Sequence, residues 1–264
     1  MTATQRGTAL AAGVLLLAGT FLTYPWWSQR QSPELSVYLP KQPGSVISID
    51  VAQLRRIGLL GGKELPWEAE YRSFIAATSF DFERDLDRVL LHLGDDKNVY
   101  LASGRFHWPK LRQYVLDQGG KCVDRACSMA SSQAGKYVSY FPIDDDAIAV
   151  ALAKDEYAAA QVTAQNTRRP ESCAASLDLR GEEVRRWLPF LGEVAHAKAC
   201  VGTDALMTLV VALTSSDAAV KADSGFRTLA TKLNAKSLER KEAEFHLAWE
   251  LKGESLAALF GSAE

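Results

Sequence analysis

The chain has 264 residues, 47% hydrophobic, 23% charged and 9% aromatic, with 18 Gly and 9 Pro. This composition excludes intrinsic disorder, collagen and low-complexity repeats, and it supplies enough apolar surface for one or two globular domains. With 30 Lys and Arg against 32 Asp and Glu, the formal charge is −2, so no whole-chain bias draws it to nucleic acid.

The first element is Thr8 to Trp27, an uncharged run of 20 residues between Arg6 and Ser28-Gln29-Arg30. As a helix it matches the roughly 30 Å hydrocarbon layer of a bilayer, and Tyr24, Trp26 and Trp27 fall where interfacial aromatics sit. Residues 1–7 then read as a short cytoplasmic tail, 8–27 as a transmembrane anchor in the lipid bilayer, and 28–34 as a tether. A cleaved signal peptide competes, with Leu10 to Ala18 as its apolar core, but only the weak Ala18-Gly19-Thr20 offers a small-residue cleavage site. A buried soluble helix is the third reading. The short tail favours an inside amino terminus, which exports everything after Trp27. The expectation is a single-pass inner-membrane protein whose carboxy-terminal body lies in the periplasm or outside the cell.

All four cysteines, Cys122, Cys127, Cys173 and Cys200, lie beyond the apolar run. An even number in an exported body reads as disulfides. The C-x4-C spacing of Cys122 and Cys127 suits a local bridge and leaves Cys173 to pair with Cys200, one of three combinations that four cysteines permit. Free buried thiols are the alternative. Metal or redox chemistry is weaker, because no Cys-X-X-Cys occurs and the histidines are scattered.

The body opens with a strand candidate, Leu35 to Leu39, stopped by Pro40. Ser45 to Val51 alternates as a strand, and Asp50 then suits the N-cap of a helix over Ala52 to Leu60 that ends at Gly61-Gly62. A second helix spans Trp67 to Ala77. Asp87 to Leu93 and Asn98 to Ser103, joined by the polar turn Gly94-Asp95-Asp96-Lys97, predict an antiparallel hairpin. A helix starts at Trp108-Pro109 and stops at Gly119-Gly120. Strands Lys136 to Phe141 and Ala147 to Ala153 flank Asp144-Asp145-Asp146, and an Ala-rich helix is predicted over Lys154 to Asn166 before the break Arg168-Arg169-Pro170.

The half of the chain beyond that break echoes the half ahead of it. Ser48-Ile49-Asp50-Val51 precedes Leu54-Arg55-Arg56-Ile57, and Ser176-Leu177-Asp178-Leu179 precedes Val184-Arg185-Arg186-Trp187. A hairpin of Ala195 to Val201 with Leu206 to Thr214, an amphipathic helix through Val220, Leu229 and Leu233, and the alternating strand Ala243 to Leu251 complete the second unit. The predicted fold class is α+β: an amino-terminal transmembrane helix, then antiparallel sheet units with helices on one face, arranged as two ferredoxin-like repeats over 35–167 and 168–264.

Residues that carry chemistry are sparse. The sequence has no nucleophile elbow, zinc-protease, P-loop, dinucleotide-binding or EF-hand pattern. His92, His107, His196 and His246 stand singly; the first and last two fall on strands, and His107 is placed to cap a helix. Asp144-Asp145-Asp146 reads as a solvated turn, since three consecutive carboxylates in a hairpin do not converge on one ion. The Arg doublets lack interleaved aromatics, which argues against a nucleic-acid partner. The one gathering of aromatics and a cation is Arg105, Phe106 and Trp108, a candidate partner-binding patch or a corner of the core.

Tyr38-Leu39-Pro40 with the strand Ser45 to Asp50, Gly58-Leu59-Leu60, and Ser103-Gly104-Arg105-Phe106 before a Trp-Pro helix resemble a group of bacterial exported proteins, over roughly residues 40 to 160. The resemblance implies an export segment, duplicated α+β units and no known activity, and the second half lacks the Gly-Arg-Phe signature. The functional expectation is a non-catalytic, membrane-anchored structural or partner-binding subunit of an envelope complex, without cofactor or metal. A periplasmic ligand-binding or sensory module and an envelope hydrolase built from dispersed residues are the alternatives.

Overall fold

Strand β1, Ser45–Asp50, stops where the Asp50 side chain accepts a hydrogen bond from Gln53 N at 2.7 Å and so caps helix α1, Val51–Arg56. The computed structural model describes residues 34–60, 69–164, 173–187 and 191–251. The expected tail and anchor, with Tyr24, Trp26 and Trp27, lie outside them, as do the Gly61-Gly62 stop and the Arg168-Arg169-Pro170 break. Among the described residues no helix is long and apolar enough to cross a membrane.

After α1 come α2, Ala69–Thr78, and the single turn α3, Phe82–Asp85. The predicted hairpin is next, as β2, Leu86–Leu93, and β3, Asn98–Gly104. Helix α4, Trp108–Asp117, leads to a second hairpin, β4, Lys121–Val123, with β5, Ala126–Ala130, then to β6, Tyr137–Asp144, and β7, Ala147–Ala153. The other half runs β8, Ala175–Arg180; α5, Gly181–Trp187; β9, Val194–Val201; β10, Leu206–Leu213; α6, Ser216–Lys232; β11, Ser237–Lys241; β12, Glu244–Glu250.

All 12 strands among the described residues share one sheet, ordered β11-β12-β10-β9-β8-β1-β2-β3-β7-β6-β5-β4. Every pairing is antiparallel. The fold is therefore mixed α+β, but the ferredoxin-like expectation is corrected, because in that unit the strands before and after the first helix are parallel with another strand between them, whereas here β1 pairs directly with β2 and β8 directly with β9, both antiparallel. A parallel return needs a helix about as long as the strand it crosses. Helix α5 has 7 residues, about 10 Å, whereas an eight-residue strand spans about 27 Å. The chain turns back instead, so β1-β2-β3 and β8-β9-β10 run as meanders, and each half then returns its last strand, β7 or β12, to the third strand of that meander.

The halves meet at β1 and β8, where Ser48 lies opposite Ser176, Ile47 opposite Leu177 and Ile49 opposite Ala175. The two copies of the Ser-Ile/Leu-Asp motif are thus related by a local two-fold axis through the Ser48–Ser176 pair. The symmetry extends to charges: Asp50 pairs with Arg88 on β2 at 3.3 Å, and Asp178 with Lys198 on β9 at 3.4 Å.

One face of the sheet carries the helices. Leu54 of α1, Val184 of α5 and Phe226 of α6 join Ala197, Val201, Val211, Phe245, Leu247 and Trp249 in one core, with Phe226 stacked on Phe245 at 3.9 Å. The other face is covered in the first half by two 3-10 turns, Leu35–Tyr38 and Ala158–Gln161, over Leu90, Val99, Leu101, Ala149 and Ala151. Both turns correct the sequence reading. Leu35 to Leu39 is not a strand, because the Glu34 carboxylate accepts from Ser36 N at 3.3 Å and winds the segment while Leu35 and Leu39 plug the sheet. In place of the long Ala-rich helix, the described residues hold a single turn. There Ser139 Oγ on β6 accepts from Ala159 N at 3.0 Å and seats Ala158 and Ala159 in the core.

Candidate functional site

The candidate patch lies where β3 runs into α4. Gly104 closes β3 against the chain at Asp85: a Cβ there would stand 2.2 Å from the Asp85 carbonyl oxygen. Arg105 N donates to that oxygen at 2.8 Å. The Arg105 guanidinium reaches the Asp85 carboxylate at 2.9 Å and the Arg84 carbonyl at 2.7 Å. Arg105 is thereby committed to the scaffold. Phe106 stacks on Phe80 at 5.0 Å, and Phe74 of α2 meets Phe80 and Tyr114 edge-on at 6.4 and 5.2 Å. This aromatic row fastens α2 to α4.

Trp108 and Pro109 open α4, and His107 caps it, its Nδ1 accepting from Lys110 N at 3.3 Å. Trp108 then lines a hollow of about 390 Å³ together with Phe106, Pro109, Pro142 and Ile148. His107, Arg125, Asp144 and Asp145 supply its polar lining. Of the three residues singled out in the sequence, Phe106 and Trp108 therefore share one concavity and Arg105 is turned to another task. Arg125 carries no local signal in the sequence. It sits at the tip of the β4–β5 hairpin, donates to the Pro142 carbonyl at 3.0 Å and lies over the Phe141 ring at 5.6 Å. A second hollow, of about 340 Å³, opens on its other side, beside Phe141 and Tyr157.

The four cysteines form the two predicted bridges, Cys122–Cys127 and Cys173–Cys200. The first joins residues directly opposite each other in β4 and β5. The second ties the entry of β8 to β9. No counterpart of the β4–β5 hairpin exists among the described residues of the second half, where α6 leads straight to β11. The bridged hairpin is an addition to the repeat, and it holds Val123 57% exposed on the Phe141 and Tyr157 side of the sheet; on α4, Leu116 is 42% exposed.

A polar node elsewhere proves structural. Ser45 Oγ donates to Glu183 at 3.1 Å and accepts from Arg180 N at 2.9 Å, and Arg180 reaches Asp95 at 2.8 Å, pinning α5 and β8 to β1 and the β2–β3 turn. His92 is buried close by, with Nε2 donating to the Gln42 carbonyl at 3.0 Å and Nδ1 unpartnered. Burial holds its pKa below the ordinary value. Ser45 and His92 do not bond each other, so they form no nucleophile–base pair. Among the described residues no group of three or more His, Cys, Asp or Glu is placed to hold a metal ion.

No family model matches the chain, and no curated protein aligns with it. Among solved structures it is similar to TP0453 in crystal form I, at 12% identity and a TM-score of 0.51, over 89% of this chain and 99% of that one. Crystal form III of TP0453 matches at 11% identity and a TM-score of 0.49, over 86% and 97%. At such identity the likeness concerns the fold alone.

Proposed function

We propose that this chain is a non-catalytic, extracytoplasmic partner-binding protein of the bacterial envelope, held at the membrane through residues 8–27, and that its docking surface wraps the β4 edge of the sheet, with the bridged hairpin and its Val123 on one side and α4 with Leu116 on the other. The observation that carries the reading is the β4–β5 hairpin itself. It has no counterpart among the described residues of the other repeat, is closed by Cys122–Cys127, and holds Val123 exposed at its tip, while Leu116 is exposed on α4. Large side chains held in water by a rigid support are a cost to a free protein and an asset to a bound one. Two disulfides suit an oxidising compartment, and the uncharged run 8–27 supplies a means of attachment.

The test is extraction from native membranes in mild detergent, with size analysis and identification of stoichiometric companions. The wild-type chain is expected in a defined assembly, and the double variant Val123→Lys, Leu116→Lys is expected to leave it while keeping its melting temperature. A wild-type chain that runs alone, or a variant that stays in the assembly, would count against the reading.

A further inference from the structure

We propose that the hollow between α4 and the β6–β7 turn is a binding site for an uncharged pyranose saccharide. Its volume, about 390 Å³, falls within the range of small-molecule sites, roughly 300–1,000 Å³. Its apolar lining comes from Trp108, Phe106, Pro109, Pro142 and Ile148, with Phe106 backed on one side by Phe80. A sugar ring has one face of C–H groups that stacks on such side chains, while its hydroxyls, each both donor and acceptor, project around the edge.

The polar lining meets that edge with both kinds of partner. His107 Nδ1 accepts from Lys110 N, which leaves the proton on Nε2 and makes that nitrogen a donor. Arg125 has one Nη fixed on the Pro142 carbonyl and further N–H groups to offer. Asp144 accepts from Asp146 N through Oδ1 at 2.9 Å, leaving its second oxygen, and Asp145 is exposed at the turn. Charge then selects the ligand class. An anion drawn to Arg125 meets two carboxylates, a cation drawn to the carboxylates meets Arg125, and a wholly apolar molecule would strip water from both without replacing it. A neutral polyol satisfies donors and acceptors together.

This inference stands apart from the proposed protein partner, which docks on Val123 and Leu116 and not in the hollow. The experiment is saturation-transfer NMR and tryptophan fluorescence titration of the full chain with neutral disaccharides: cellobiose, maltose, lactose and N,N′-diacetylchitobiose. At least one should bind saturably, with transfer strongest to its C–H protons. Asp145→Asn, an exposed turn substitution that leaves the fold intact, should weaken binding about tenfold, as expected for loss of a charge-assisted hydrogen bond. Trp108→Leu should abolish it, with the melting temperatures of both variants compared with wild type as the folding control. Failure of all four sugars to bind, binding unchanged in both variants, or preference for a zwitterionic dipeptide such as Gly-Gly over every sugar would each overturn the proposal.

Discussion

Asp85 is 6% exposed and ties its own turn to the end of β3. Arg84 donates to both carboxylate oxygens, Arg105 pairs with it at 2.9 Å, and Asp81 N donates to it at 3.0 Å. The Arg84 hydrogen bonds outweigh the opposing effect of burial and hold its carboxyl below the ordinary carboxylate range. Asp85→Ala removes the acceptor for all three groups, and urea denaturation should show a loss of about 1–3 kcal/mol. His92 shifts in the same direction for a different reason, since its burial disfavours the charged ring. The folded chain therefore binds fewer protons at this site than the unfolded chain. Its contribution is complete above the ordinary pKa of 6.5 and is lost as pH falls below it. Thermal melts between about pH 7.5 and 5.5, which bracket that value, should show a steeper decline for the wild type than for His92→Gln. The Asp85 effect belongs to a lower window, below the ordinary value of 3.8. Asp50 and His107 were legible as caps because capping is local, whereas Asp85 and Arg55 were not. The Arg55 guanidinium donates to the carbonyls of Glu83 at 2.7 Å and Arg84 at 2.9 Å, a contact made across 28 and 29 residues.

At the scale of elements, the disulfides differ in what they close. Cys173–Cys200 spans 27 residues and Cys122–Cys127 only 5. Chain entropy gives the longer loop about 3.5 kcal/mol of stabilisation and the shorter about 2. Paired Cys→Ser variants measured by chemical denaturation should keep that order, with the short-loop variant losing the rigidity of the β4–β5 hairpin more than global stability. Hydrogen exchange at Val123 to Cys127 reads that local loss. The hairpins β2–β3, β6–β7 and β9–β10 could be read from alternation around polar turns, which is local information. The β4–β5 hairpin left no such trace, because β4 has only 3 residues, too few for a period to show. The two 3-10 turns left none either, since burial against the sheet decided them. The candidate site divided in the same way. Phe106 and Trp108 stood out as neighbours in sequence, but Arg125, Pro142 and Ile148 reach the same hollow only through the pairing of β6 with β7 and the folding back of the bridged hairpin.

At the scale of the molecule, the duplication visible in Ser48-Ile49-Asp50 and Ser176-Leu177-Asp178 becomes a sheet with no internal gap. Four consecutive pairs, Val46–Asp178 to Ile49–Ala175, join the halves, and α1 from the first half shares a core with α5 and α6 from the second. Calorimetry of the full chain should therefore show one cooperative transition, with calorimetric and van't Hoff enthalpies in agreement. Two resolved transitions would mean that the seam is weaker than its register and shared core imply.

The dyad at Ser48 and Ser176 bears on assembly as well. Because each half offers the other a strand in antiparallel register, the seam can be closed equally well between two polypeptides, β1 of one chain on β8 of the next. At high concentration, refolding has a built-in route to exchanged dimers, and dilution during refolding favours the monomer by mass action alone.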